Sequence, residues 1–433
     1  MDREEESNRT VLVVGAAGFL GGYIVAALRE RGWRVLRGMR VRGRELEADE
    51  RECDLQQLLS VESWLPLLAG VDAVINVAGI LREEHGQAFE VVHYAAPLAL
   101  ARACVEIGAQ CFVQISALGI PEDGEFIASK HRLDDALLEL PLRSVILRPS
   151  VVYGVSGSFG GTSLLRALAA FPGALLLPGD GHWLIQPVAV EDLADLAARA
   201  LESKASAIHE VGGPQPMTLR EYQSIWREWL RIPGRRAIFV PVFWVALLVR
   251  FWEIIGSGPI GETMWRMLKR GNITANGMTT RLHNEFGIAP RPLREVLASH
   301  PSQVQDRWQA QLYFLAPTLR LGVSALWLVS AWVGWTTQPS EIERLAEDSV
   351  LGAMAPVVVA RVAATLDLIF GLWLLTGLRL RIAIGAMMIM VLAYTLAFGI
   401  ALPTLWLDPL GGLAKNLVIL PALAVLWVLS ERR

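Results

Sequence analysis

Residues 11–21 read Val11-Leu12-Val13-Val14-Gly15-Ala16-Ala17-Gly18-Phe19-Leu20-Gly21, an apolar run that passes directly into a glycine-rich turn. Helical periodicity follows over 19–31, so the turn lies between a strand and a helix. Glycine permits a tight turn there and lets the backbone approach a pyrophosphate, which then sits at the positive end of the helix. The stretch therefore predicts a dinucleotide-binding unit.

The same alternation of short apolar runs and helices continues along the chain. Further strands are predicted at 34–36, 72–77, 111–115 and 144–147. Short apolar runs that alternate with helices indicate βαβ units and a parallel sheet. We therefore predict an α/β fold, a doubly wound parallel Rossmann sheet over 10–300, with a small substrate lobe within about 153–300.

Composition separates the front of the chain from its back. The 433 residues are 53% hydrophobic and 19% charged, but 312–433 hold only 8 of the 40 Lys and Arg and 7 of the 43 Asp and Glu. Such numbers exclude a disordered chain and a simple cytosolic enzyme. The net charge of −3 with no long basic run argues against nucleic acid. Three cysteines without paired spacing indicate reduced thiols, and no metal motif is present.

The back part predicts an all-α bundle of four transmembrane helices over 312–433. Residues 382–407 contain no charged side chain, and a hydrocarbon core of about 30 Å needs about 20 apolar residues as helix. The predicted spans are about 318–335, 353–376, 380–402 and 413–429. A further apolar stretch at 238–255 is interrupted by Pro241 and Arg250, which favours a cap helix over a pocket rather than a fifth span.

Flanking charges predict the orientation of these spans. Cations flank the first span, separate the second from the third and end the chain, at Arg320, Arg379, Arg381, Arg432 and Arg433. The loop 336–350 is acidic instead. By the positive-inside rule, both termini lie in the cytoplasm of a bacterial-type inner membrane. The first ten residues lack the features of a signal peptide, which agrees with a cytoplasmic front domain.

Cationic residues follow the second predicted strand, where an NAD site usually has Asp or Glu for the ribose hydroxyls. The segment carries Arg37, Arg40 and Arg42. Arginine pairs well with a phosphate, so NADP(H) is favoured over NAD(H). The alternative is that these arginines belong to a solvated loop.

Several motifs together resemble the extended and atypical short-chain dehydrogenase/reductases. They are the glycine turn, Asn76-Val77-Ala78-Gly79, Ser116, Lys130 and Arg148-Pro149-Ser150-Val151-Val152-Tyr153-Gly154. The resemblance implies that the cofactor is bound by Gly15, Ala17, Gly18, Phe19, Leu20, Gly21, Arg40, Asp54, Leu55, Val77, Ala78, Gly79 and Lys130. The tail, with Pro409-Leu410-Gly411-Gly412 and Lys415-Asn416, resembles the DoxX-like membrane family.

The resemblance also exposes a departure at the catalytic site. In that family a Tyr four residues before the Lys is the acid, and a Ser orients the carbonyl. Ser116 and Lys130 are in place, but the Tyr position is Phe126, which has no proton to donate. His93 and His131 are candidate substitutes, with packed or solvated histidines as the alternative.

Four polar residues lie within or beside the predicted spans: Arg361, Asp367, Lys415 and Asn416. Ionisable groups at membrane depth are costly unless paired, and they often mark function. Spacing places Arg361 and Asp367 on different helix faces, so Asp367 is expected to pair with Lys415. Structural pairing and a site for a redox lipid or quinone are both open.

These features predict a membrane-anchored NADP(H)-binding oxidoreductase that passes hydride to or from an apolar or membrane-dissolved substrate. Phe126 supports a different class, a protein that holds NADPH without turnover as a structural element or redox sensor. A sugar-nucleotide epimerase or dehydratase is a third reading, and it too normally needs the missing Tyr.

Overall fold

The structure is a computed structural model of the 433-residue chain. It describes residues 9–41, 43–83, 87–234, 236–255, 260–347, 355–401, 406–407 and 413–431. The chain divides into two compact units, Met1–Ala310 and Gln311–Arg433.

A seven-stranded sheet forms the centre of the first unit. Its strands are β1 Thr10–Val14, β2 Arg34–Met39, β3 Glu50–Glu52, β4 Ala73–Asn76, β5 Cys111–Ile115, β6 Ser144–Pro149 and β11 Ala207–Val211. They run parallel in the order β11-β6-β5-β4-β1-β2-β3. The doubly wound parallel sheet predicted from the sequence is confirmed. The strand order reverses between β1 and β4, where such sheets bind ligands.

Strand β1 shows why this sequence forms a strand buried on both faces. Val11 and Val13 point into one apolar core, and Leu12 and Val14 point into the other, as the two-residue period of a strand requires. Helices cover both faces, since a parallel sheet is stable only when neither face meets water.

The helices of the first unit cover the sheet and, after β6, build the smaller lobe that the sequence predicts to be a substrate lobe. They are α1 Phe19–Glu30, α2 Val61–Trp64, α3 Ala96–Glu106, α4 Glu125–Glu139, α5 Gly161–Ala169, α6 Val190–Ala200, α7 Leu219–Trp229, α8 Val242–Ile255, α9 Glu262–Arg270, α10 Met278–Phe286 and α11 Leu293–Ala298. A π-helical segment, Glu90–Ala95, leads into α3, and 3-10 turns lie at Leu65–Leu68 and Pro121–Asp123.

Three two-stranded sheets belong to the substrate lobe. Their strands are β7 Val152–Tyr153, β8 Leu175–Pro178, β9 Leu184–Ile185, β10 Val188–Ala189, β12 Met217–Thr218 and β13 Ala237–Val240, paired as β7-β10, β8-β13 and β9-β12. Tyr153, Tyr222 and Trp226 form part of this lobe's core. The apolar stretch 238–255 forms β13 and α8. At 14 residues α8 spans only about 21 Å, too short to cross a membrane.

The second unit is helical. Its helices are α12 Val304–Thr336, which begins before the unit boundary, α13 Pro339–Ala346, α14 Pro356–Thr376, α15 Leu380–Ala401 and α16 Asn416–Leu429. Three of them, α12, α14 and α15, are long and apolar enough to cross a membrane, and they contain most of the first three predicted spans. The fourth described apolar helix, α16, has 14 residues, so the fourth crossing stays a prediction.

Some residues of the sequence-based predictions lie outside the described residues. They are Arg42, Pro409, Leu410, Gly411, Gly412, Arg432 and Arg433.

Candidate functional site

The glycine turn packs against the two strands beside β1. Gly15 has φ +91°, and a Cβ there would lie 2.8 Å from the backbone nitrogen of Ala78 in the loop after β4. The amides of Gly15 and Ala16 both donate to the carbonyl of Gly38 in β2. Gly21 faces the turn from α1, where a Cβ would overlap the Gly15 carbonyl oxygen. The turn is therefore closed by backbone that leaves no room for side chains.

A cavity of about 340 Å³ opens above this turn, at the carboxyl ends of β1, β2, β3 and β4. The predicted cofactor residues that line it are Gly15, Ala17, Gly18, Arg40, Asp54, Leu55, Val77, Ala78 and Gly79. Its position at the strand-order reversal and its glycine cradle suit a dinucleotide. The structure thus brings most of the predicted cofactor residues together.

The remaining predicted cofactor residues lie around that cavity. Phe19 and Leu20 line a second, apolar cavity. Gly21 packs beneath the turn. Lys130 is buried with its Nζ beside Gly79, and this ammonium donates to the carbonyl of Ile115 at 3.1 Å.

The arginines after β2 have different partners. Arg37 pairs with Asp49 and Glu47, each at 2.7 Å, so its guanidinium is already occupied. These hydrogen bonds, above all the one to Asp49, raise the pKa of Arg37. Arg40 is exposed and lines the dinucleotide cavity, where Gln87 in its favourable amide orientation accepts from it. Of the three predicted arginines, Arg40 is the one that the described residues place at the wall of this cavity.

Phe126 lies in an aromatic cluster beside the buried lysine. Its ring packs edge-on against His93 at 5.5 Å and against Phe89 at 6.2 Å, between ring centroids. The Lys130 ammonium lies 5.8 Å from the Phe126 ring centroid. Burial lowers the pKa of Lys130 to about 8, so the group still carries a proton at pH 7.

His93 is engaged at both ring nitrogens. Nε2 accepts the amide proton of Ile80 at 3.1 Å, so the ring proton belongs on Nδ1, which lies 3.0 Å from the Ser129 hydroxyl. Ser129 in turn donates to the Glu125 carbonyl at 2.7 Å. Burial, followed by the nearby Lys130 charge, lowers the pKa of His93 to about 2. The one N–H of this neutral ring already donates to Ser129, so no proton is free for a substrate. His93 is a packed histidine here.

His131 is likewise tied to the backbone. It is buried, and its Nε2 lies 3.0 Å from the carbonyl oxygen of Ala117. Because this contact engages one ring nitrogen with the backbone, we interpret His131 as a packed histidine too.

Ser116 belongs to a buried polar group that sequence reasoning missed. Its hydroxyl donates to Asp134 at 2.7 Å, and Arg148 Nε donates to the same carboxylate oxygen at 2.8 Å. Burial raises the pKa of Asp134, and the Ser116 and Arg148 hydrogen bonds oppose that rise. Because its proton is used by Asp134, Ser116 presents an acceptor to the apolar cavity that it lines.

That second cavity, of about 290 Å³, has an apolar wall. Phe19, Leu20, Phe126 and Met264 are among its lining residues. Two of its polar side chains are bonded to backbone carbonyls: Ser150 to Asn272 at 2.8 Å, and Thr162 to Phe159 at 2.9 Å. Few polar groups are left to bind a ligand, so the cavity suits an apolar one.

Three of the four polar residues of the second unit have side-chain partners among the described residues: Arg361, Asp367 and Asn416. Arg361 donates to the carbonyls of Gly334 and Thr337. Asn416 donates to the Thr395 hydroxyl at 2.8 Å.

The expected Asp367–Lys415 pair is wrong. Asp367 instead accepts from the Ser330 hydroxyl on α12 at 2.6 Å, and no ion pair joins it to Lys415 within the described part of the chain. The hydrogen bond from Ser330 on the neighbouring helix therefore satisfies the Asp367 carboxyl group.

Comparison with known families confirms both resemblances. Residues 11–212 match the sequence model of the NAD dependent epimerase/dehydratase family, and 324–427 match that of the DoxX-like family. The first match, with the glycine cradle, supports a nicotinamide cofactor in the first unit. The second, with the three long apolar helices, indicates a membrane protein.

Some curated proteins are similar in sequence to part of this chain. The chain is 30% identical over 253 residues to the Arabidopsis thaliana mitochondrial NADH dehydrogenase [ubiquinone] 1 alpha subcomplex subunit 9, covering 53% of this chain and 61% of that one. It is 30% identical over 156 residues to a ceramide reductase of Caulobacter vibrioides, covering 34% and 48%. The chain thus spans about half to three-fifths of these two relatives.

A solved structure shares the fold of the first unit. UDP-glucose 4-epimerase of Thermotoga maritima superposes with a TM-score of 0.50 and 18% identity, covering 66% of this chain and 96% of that one. At this identity the likeness concerns the fold alone.

Two adjacent glycines give a matched test of the cradle. Gly21→Ala places a methyl group against the Gly15 carbonyl, whereas Gly22→Ala meets nothing within 4 Å. We expect Gly21→Ala to cost about 1–3 kcal/mol of stability and to weaken dinucleotide binding, while Gly22→Ala is neutral or stabilising. Thermal unfolding and dinucleotide titration in detergent measure both. Equal behaviour of the two variants would contradict this account of the turn.

Proposed function

Because the chain joins a domain of the NAD dependent epimerase/dehydratase family to a DoxX-like membrane domain, we propose that it is a membrane-bound, NADP(H)-dependent oxidoreductase acting on an apolar, lipid-like substrate. The observation that carries this proposal is the pair of cavities. Both begin at the glycine turn: Gly15 and Gly18 line the dinucleotide cavity, and the next residues, Phe19 and Leu20, line the apolar one.

The apolar cavity supports a substrate without many polar groups. A sugar nucleotide would need hydrogen-bond partners, but the Ser150 and Thr162 hydroxyls are already bonded to backbone. An unpaired polar group in such a site is costly. The similarity to a ceramide reductase, a protein named for a lipid substrate, agrees with this choice. A quinone is a second apolar candidate.

Bound nicotinamide dinucleotide supplies hydride transfer, and the protein must manage the accompanying proton. Phe126 cannot donate one, and the His93 ring is fully bonded. Lys130 is the protonated group that lies beside Phe126. We assign to Lys130 the proton that the carbonyl oxygen takes up as the carbonyl is reduced, which the family's Tyr normally supplies, and to Ser116 the acceptor for the hydroxyl of the alcohol that results.

A protein that holds NADPH without turnover is the second candidate. The specific observation in its favour is Phe126, whose phenyl ring occupies the position of the family's acid. His93 and His131 are both engaged in hydrogen bonds, so neither is free to act as the acid instead. An apolar cavity beside the cofactor favours the enzyme, because a sensor needs no substrate space.

We place the protein in a bacterial-type inner membrane, with four crossings and both termini in the cytoplasm. The distribution of Arg320, Arg379 and Arg381 against the acidic residues near Glu341 supports this orientation. Reporter fusions after Gln338 and after Arg433 should report opposite sides, and a shared side would overturn the topology.

Arg40 gives a direct test of cofactor choice. Losing a charge-assisted phosphate contact of about 1.5–3 kcal/mol should weaken NADP(H) binding about 10- to 150-fold in Arg40→Ala, with little change for NAD(H). Arg34→Ala, an exposed arginine at the opposite end of the same strand, is the matched control and should change neither affinity. Titration of both dinucleotides measures the effect. Tighter NAD(H) binding by the unmodified protein would refute the NADP(H) preference.

Phe126→Tyr separates the enzyme from the binder. A well-placed acid contributes about 10²–10⁴-fold. If the wild-type protein is only a binder, Phe126→Tyr should create ketone reduction that Phe126→Tyr/Lys130→Ala loses. If Lys130 already supplies the proton, as we propose, wild type should reduce a long-chain ketone in vesicles and Lys130→Ala should abolish this.

The control for that experiment is Phe89→Tyr, which adds a hydroxyl to the same aromatic cluster away from Lys130. NADPH oxidation and product analysis are the readouts. The enzyme proposal would be contradicted if the wild-type protein reduced none of the long-chain ketones, aldehydes and quinones tested and Phe126→Tyr did reduce one of them.

A further inference from the structure

Helix α8 of the substrate lobe turns its apolar side outward. Phe243, Trp244, Leu247, Leu248, Phe251 and Ile254 are between 49% and 86% exposed. At about 100° per residue, these six side chains fall within an arc of about 140° along one face of the helix. Val249, about opposite the centre of that arc, is 5% exposed. The helix therefore packs against the protein through the side that carries Val249. The six exposed side chains form an apolar stripe of a kind that the surfaces of soluble proteins rarely carry.

Basic residues predominate in the sequence around this stripe. Residues 231–270 contain seven Lys and Arg against two Asp and Glu, in a chain whose net charge is −3. Arg236 precedes β13, Arg250 lies on α8 and Lys269 on α9, and all three are exposed. A helix with large apolar and aromatic residues on one face and cations beside it is the pattern of helices that lie in the interface of anionic membranes.

The stripe is continuous with the apolar cavity through the next helix. Helix α9 packs against α8, and its Met264, Met267 and Leu268 line the cavity. The stripe and one wall of the cavity thus belong to two helices that pack against each other.

We propose that α8 lies in the headgroup–acyl boundary of an anionic bilayer, with its stripe facing the acyl chains. The bilayer is the occupant because this chain carries three helices able to cross one, because the stripe is a convex helix face and not a groove, and because the flanking charge is positive. As a consequence, resting on the proposed function, a lipid-like substrate enters the apolar cavity from the membrane and not from water.

The test uses the full-length protein in vesicles of phosphatidylcholine with or without phosphatidylglycerol. Single cysteines at Phe243, Leu247 and Phe251, each carrying an environment-sensitive fluorophore, report contact with lipids spin-labelled near the headgroup. The native cysteines are buried. Leu138→Cys, on the exposed side of α4 and 44% exposed before substitution, is the matched control.

We expect the three α8 labels to be quenched by the spin-labelled lipid and shielded from aqueous iodide, while the Leu138 label shows the reverse. Arg250→Gln, which removes one cationic contact of about 1 kcal/mol, should lower the equilibrium constant for membrane association of the α8 labels about fivefold in the anionic vesicles only. Iodide quenching of the α8 labels equal to that of Leu138 would overturn the proposal. So would shielding without lipid quenching, which would indicate a protein on this face.

A second readout separates this proposal from the proposed function. Phe243→Ser/Leu247→Ser/Phe251→Ser should raise KM for a long-chain methyl ketone dissolved in the bilayer and leave KM for a water-soluble short-chain methyl ketone unchanged. If neither ketone is reduced by any variant, the proposed function fails while the quenching result still decides where α8 lies. Equal effects on both ketones would overturn the entry route.

Discussion

The close approach of backbone at Gly15 is the constraint on which the site depends. Strand β1 can turn into α1 and still bond to Gly38 only because no side chain separates Gly15 from the Ala78 backbone. That approach brings the ends of β1, β2 and β4 around one cavity. It also sends Phe19 and Leu20 to the other side, where they line the apolar cavity. One tight turn therefore fixes both the glycine cradle and one wall of the apolar cavity.

The chemistry of the site follows from how its buried polar groups are satisfied. The Ser116 hydroxyl, the His93 ring and the Ser150 hydroxyl each have a partner inside the protein. Such groups position their neighbours and exclude water, but they bring no proton to a reaction. Lys130 differs, because its buried ammonium keeps N–H groups beyond the one that it donates to the Ile115 carbonyl, and because it lies beside the phenyl ring that stands where an acid is usual. Under the proposed function, proton transfer to the substrate therefore depends on this one ammonium group.

The sequence predicted the sheet well because buried parallel strands are apolar on both faces and read as continuous runs. It missed β3 and β11, since Glu50–Glu52 is short and charged and Ala207–Val211 includes His209 and Glu210. Most of the residues predicted to bind the cofactor line one cavity, because glycines and strand ends mark them.

What the sequence could not supply was pairing between distant side chains. Asp134 lies 18 residues beyond Ser116, and Ser330 lies 37 before Asp367, so neither contact leaves a local pattern. The carboxylates that occupy Arg37 were visible as an acidic run, Glu45 to Glu50, but only the fold shows which arginine they hold. The exposed apolar stripe of α8 could likewise be recognised only from the burial of each residue in the structure. An apolar sequence alone fits a buried helix equally well.

Hydride transfer to the carbonyl carbon of an apolar molecule in the membrane is tested most directly by isotope transfer, because the carbon–hydrogen bond that forms retains the label. The purified protein in vesicles of bacterial lipid extract is given NADPH deuterated at either face of nicotinamide C4, and the lipids are analysed by mass spectrometry. The account predicts that one of the two labelled cofactors places deuterium in a lipid, and that Lys130→Ala does not. Bound NADPH with no deuterium in any lipid, from wild-type protein and with either label, would contradict it.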